Sequence, residues 1–142
     1  MYNIVQKFHS GWAYIALLLL IFAVVNSFLG KTSKKEFTPK DRKIALFGLI
    51  ATHIQLVIGL ILYFISDLGF KQLSGAGMKN AELRLTILEH PLINIIAIVL
   101  ITVGWSKHKK AATNEAKFNS IFMFYGLGLL LILSRIPWKL WF

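Results

Sequence analysis

The chain contains no cysteine, only three prolines, and six acidic residues among 142. The missing cysteines exclude disulfides, thiolate metal sites, iron–sulfur clusters and covalent c-type haem attachment. The scarcity of carboxylates leaves Glu89 as the one acidic side chain expected within an apolar stretch. That is a poor endowment for an ion pump or a proton-driven transporter. There is also no Walker A, no GxGxxG, no HExxH and no Ser/His/Asp constellation.

Apolar residues dominate what remains. They make up 56% of the chain, and the mean hydropathy is +0.65. They fall in four blocks, each near the ~20 residues that cross ~30 Å of hydrocarbon at ~1.5 Å per residue. Helices are expected over about 9–29, 44–65, 85–105 and 118–136. The first block is read as a retained helix, because it is long and lacks an A-x-A-like cleavage site. Thr38 and Pro39 are expected to break any helix in the first connection. The stretch from Ser66 to Asn80, with Gly69, Gly75 and Gly77, is expected to be irregular. Pro91 falls in the first turns of the third helix, where its missing N–H costs least. Pro137 ends the fourth, and Trp138, Trp141 and Phe142 read as an interfacial anchor. The short first and third connections favour antiparallel neighbours. The chain therefore reads as one all-α integral membrane domain, an up-down-up-down four-helix bundle.

A net charge of +10 can signal nucleic acid, but here the basic residues flank the apolar blocks, so a nucleic-acid partner is rejected. Ten of the 16 Lys and Arg lie in the connections 31–43 and 107–117. The positive-inside rule places these connections in the cytoplasm, with both termini outside.

In lipid, small and polar residues mark the helix faces that meet. His90, Asn94, Ala97, Ile101, Gly104 and His108 form one stripe on the third helix at steps of four and three. His9, Ala13, Ala16, Leu20, Ala23 and Ser27 do the same on the first. Gly48, Thr52, Gln55 and Gly59 form a stripe on the second, with His53 well around the helix from it. Gly48, Gly59, Gly104, Gly126 and Gly128 read as packing glycines. His108, among Lys107, Lys109 and Lys110, reads as solvated.

Three histidines are thus candidates for function. Two neutral imidazoles from different helices can ligate a haem iron axially inside an apolar bundle. His9 with His90 is the preferred pair, because both lie on inward stripes of helices expected to be diagonal. His53 with His90 is the alternative, and a three-histidine copper or zinc site is a third. Lys7, Arg84, Arg135 and Lys139 stand on the side of His9 and His90, where cationic partners for haem propionates belong. Glu89 and Arg135 lie at similar depth and can form a structural pair. His53 with Gln55 can instead hold a quinone oxygen. The competing reading is a non-catalytic accessory or scaffold subunit whose histidines are packing hydrogen-bonders.

Several stretches carry a resemblance to a known family. These are His9-Ser10 opening the first helix, HIQLVIGLILYF from His53, LEHPLINIIAIVLITVGWSK from Leu88, and LLLILSRIPW near the end. Together they cover most of the chain, and they resemble the small four-helix membrane proteins of Bacteroidota known as cytochrome B. The resemblance implies haem b and single-electron transfer, with His9, His53 and His90 as the positions carried over. Where that family has Arg-Trp, this chain has Ala13-Tyr14. Half of a haem A synthase is a looser likeness. Partners expected on this basis are the lipid bilayer, a quinone and a redox protein. A homo-oligomer and membership of a larger complex both stay open.

Overall fold

The computed structural model describes residues 1–141, without the side chain of Trp141. The part of the aromatic anchor that falls on Trp141 and Phe142 lies outside what is described. Helix α1 spans Tyr2–Thr32 and α2 spans Pro39–Ile65. A 3-10 turn (Phe70–Gln72) and the short α3 (Gly75–Lys79) follow, so the connection predicted to be irregular carries two short helical segments. Helix α4 (Ala81–Arg84) leads through a π-helical turn (Leu85–Glu89) into α5 (His90–Lys110). Helix α6 spans Asn114–Ser134, and α7 is the short Trp138–Trp141. No strand occurs among the described residues.

Every long helix outruns its apolar block at one end or both, because a helix stops at a cap rather than at the edge of the hydrocarbon. Helix α2 shows this best. Thr38 and Pro39 do not interrupt a helix; they start one, five residues before the expected Ile44. Thr38 is the N-cap, Pro39 occupies the first turn, and Asp41 closes a capping box. Proline at that position loses nothing, since its N–H would have had no partner. Thr113 caps α6 more simply, its hydroxyl accepting from the Ala116 N–H.

Helix α1 packs against α2 and α6, and α5 against the same two, so α1 faces α5 across the diagonal of a four-helix bundle. The two short connections share one end: the Phe37 N–H donates to Asn114 Oδ1 at 3.1 Å, and Lys31 Nζ to Asn119 Oδ1 at 2.7 Å. The chain termini and the 66–80 segment share the other, here the terminal end. A core of Leu20, Ala23, Ala45, Ile101, Ile121 and Tyr125 fills the loop half. Tyr125 is fully buried, and its hydroxyl donates to the Ala45 carbonyl at 2.8 Å. At Gly128 an added Cβ would meet the Ala97 carbonyl at 3.0 Å, so this glycine lets α5 and α6 approach closely.

Outward, Leu18, Phe22, Phe47, Val57, Val99 and Leu130 are all more than half exposed. All four long helices are long and apolar enough to cross a membrane. Exposed apolar surface on every side of a bundle is what lipid tails cover.

Two expectations are corrected here. His108 is not solvated: it is 2% exposed, its Nδ1 donates to the Trp105 carbonyl, and its ring packs against Phe37 and Trp105. The neighbouring lysines occupy other faces of α5, and the helical stripe that begins at His90 decides where this ring points. The best-buried carboxylate is also not Glu89 but Asp41, 2% exposed and hidden in a stretch that reads as a basic loop.

Candidate functional site

The terminal half of the bundle is not filled by side chains. It encloses a cavity of about 320 Å³ bounded mainly by apolar groups such as Leu17, Leu56 and Ile98. His9, Gln55, His90 and Asn94 are among its polar lining residues. That size lies at the small end of ligand pockets, which run from roughly 300 to 1,000 Å³.

His9 and His90 reach this space from opposite corners of the bundle. Their ring centroids stand 6.3 Å apart and their planes cross at 82°. His9 owes its place to Gly59 on α2, where an added Cβ would stand 3.1 Å from His9 Cε1. The Gln55 side chain ties the same two helices, its Nε2 donating to the His9 carbonyl at 2.8 Å.

His90 is set by irregular backbone. Pro91 has no N–H to give to the carbonyl four residues back, that of Ile87. The Tyr63 hydroxyl, arriving from α2, donates to that carbonyl at 2.8 Å. The π-helical turn ends where the His90 N–H bonds the Leu85 carbonyl. Such turns recur at functional sites because they re-aim the side chains around them. Tyr63→Phe strips the donor from a carbonyl of the buried Ile87. It is expected to cost about 1–3 kcal/mol and to lower the thermal midpoint of the detergent-solubilised protein.

The His90 imidazole has a defined tautomer. Its Nδ1 lies 2.9 Å from the backbone oxygen of Arg135. Asn94 Nδ2 also lies 3.2 Å from Nδ1, but it is spent on the His90 carbonyl, and the shorter contact, to a carbonyl that can only accept, assigns the proton to Nδ1 and the lone pair to Nε2. Arg135 follows the last turn of α6, where carbonyls lack helical partners. Asn94 Nδ2 donates to the His90 carbonyl at 2.6 Å. The role found for the Arg135 backbone could not be read from its side chain, which was the feature singled out in the sequence.

The Arg135 and Arg84 side chains do converge. Arg84 Nε lies 2.8 Å and Arg135 Nε 3.4 Å from the two oxygens of Glu89. Two guanidiniums share one carboxylate, so positive charge is in excess at this end. Lys139 pairs with Glu82 at the exposed surface.

His53 stands apart from this site. Its Nδ1 donates to the Leu49 carbonyl at 2.7 Å, and its Nε2 lies 3.2 Å from Thr102 Oγ1 on α5. It does not line the cavity. Among the described residues no three His, Cys, Asp or Glu side chains gather closely enough to hold a metal ion together, so the three-histidine arrangement does not form. No family model, curated protein or solved structure matches the chain.

Proposed function

We propose that the chain is a membrane-bound b-type cytochrome in which His9 and His90 hold the iron of a haem b. The observation that carries this reading is the 6.3 Å between their ring centroids. Ring centres this far apart leave room for one metal ion between them, and His9 and His90 would hold the iron there.

The surroundings agree in chemistry. The apolar part of the lining suits a macrocycle, for which the cavity of about 320 Å³ would have to widen, and the lone pair of His90 Nε2 is available because Nδ1–H is committed to Arg135. A backbone hydrogen bond of this kind is the usual support of a metal-ligating imidazole, fixing ring orientation and raising basicity. Arg84 and Arg135 would hold the propionates, exchanging part of their hold on Glu89 for new anionic partners. When bound, the haem supplies reversible one-electron chemistry, and two nitrogen ligands favour transfer of electrons over binding of oxygen. The protein's own part is to orient the two imidazoles, keep water from them, and balance charge at the terminal end. A membrane quinol and a partner protein are the proposed donor and acceptor. The resemblance to bacterial proteins supports a bacterial inner membrane, and the lysine and arginine asymmetry supports an orientation with both termini on the outer side.

The test is a reduced-minus-oxidised absorbance spectrum of the protein purified in detergent after expression with haem supply. The expected result is a sharp α band of b type. A folded, colourless protein would leave the bundle a scaffold.

A further inference from the structure

Among the described residues, two buried polar atoms in the terminal half have no hydrogen-bond partner: His9 Nδ1 and Gln55 Oε1. They belong to residues already joined, since Gln55 Nε2 donates to the His9 carbonyl at 2.8 Å. That bond fixes which way the amide faces. A carbonyl accepts only, so the amide nitrogen must meet it, and Oε1 is left on the other side as an obligate acceptor. A buried acceptor calls for a donor. The other unpartnered atom becomes a donor in one of the two neutral tautomers of His9.

We propose that Gln55 is a positioning residue for His9: the two atoms do not bond each other directly, and its Oε1 takes the His9 Nδ1 proton through one bridging water, which holds the Nε2 lone pair available. His9 then matches His90, whose Nδ1–H is held by the Arg135 carbonyl. Each imidazole receives its tautomer from a different part of the bundle, α2 for His9 and the residue that follows α6 for His90. Gly59, one turn further along α2, leaves the space in which the His9 ring can adopt this orientation. The functional meaning rests on the haem reading, because a free Nε2 on both rings is what axial ligation requires. The tautomer itself does not depend on haem.

The experiment is nitrogen-15 NMR of imidazole-labelled, haem-free protein in detergent. His9 signals are identified by their loss in His9→Ala. In the unmodified protein His9 is expected as the Nδ1–H form. In Gln55→Met, which keeps the length and removes the acceptor, that preference is lost, while His90 stays Nδ1–H as an internal check on folding. An Nε2–H form of His9 in the unmodified protein overturns the proposal without any variant. So does an unchanged Nδ1–H form in Gln55→Met. If the NMR result holds and no haem spectrum is ever obtained, the tautomer assignment stands and the cytochrome reading fails.

Discussion

His90→Ala is expected to abolish haem binding, whereas His53→Ala leaves the reduced α band in place. The asymmetry follows from where each imidazole spends its nitrogens. His90 commits only Nδ1, to the Arg135 carbonyl, and its other nitrogen remains available beside a cavity that His9 also lines. Both His53 nitrogens are within hydrogen-bonding distance of protein atoms at the α2–α5 contact. To ligate, His53 would have to abandon both and turn into a space it does not border. Altering an outer support of a metal ligand typically costs 10–100-fold in affinity, so removing the ligand itself is expected to cost more than ~100-fold. Haem titration of the apoprotein for both variants checks this. Equal loss in the two, or loss only in His53→Ala, contradicts the assignment.

Asp41→Ala is expected to be the most destabilising polar substitution in the loop half. Its carboxylate is 1% exposed, and its two oxygens receive four donors. Asn26 Nδ2 and Lys35 Nζ reach Oδ1, both at 3.0 Å, and the Thr38 N–H and hydroxyl reach Oδ2, both at 2.9 Å. One side chain therefore caps α2, ties it to α1 through Asn26, and holds the connection between them. Alanine removes the capping box and leaves these donors unpaired, a loss of about 2–4 kcal/mol. Lys35 is nearly half exposed, so its ion pair adds little to that sum. The midpoint of thermal unfolding in detergent reads the effect. It should fall by several degrees, with Asp41→Asn in between; a midpoint within error of the parent would contradict the account.

The sequence made the bundle legible because apolar length is a strong signal in a chain that must satisfy its backbone within lipid. The stripes on α1 and α5 likewise pointed His9 and His90 inward, since small and polar residues at helical spacing mark the buried face. What stayed hidden depends on partners distant along the chain. Pro91 announces a freed carbonyl, but nothing near it says that Tyr63 will fill it. His53 carries the same residue type as His90, and only the packing of α2 on α5 shows that Thr102 stands at its Nε2. His108 was a conflict between two signals, a helical stripe and a run of lysines, and the stripe prevailed. Asp41 was concealed by the basic residues around it, although Thr38, Pro39 and Asp41 together spell a helix start.

The most direct test of the paired-imidazole claim is the electron paramagnetic resonance spectrum of the oxidised, haem-loaded protein, compared with that of His9→Ala. Two axial imidazoles give a low-spin signal in the parent, and in His9→Ala that signal disappears, whether the haem is lost or whatever stays bound turns high spin. A low-spin signal that persists unchanged in His9→Ala would show that His9 is not a ligand.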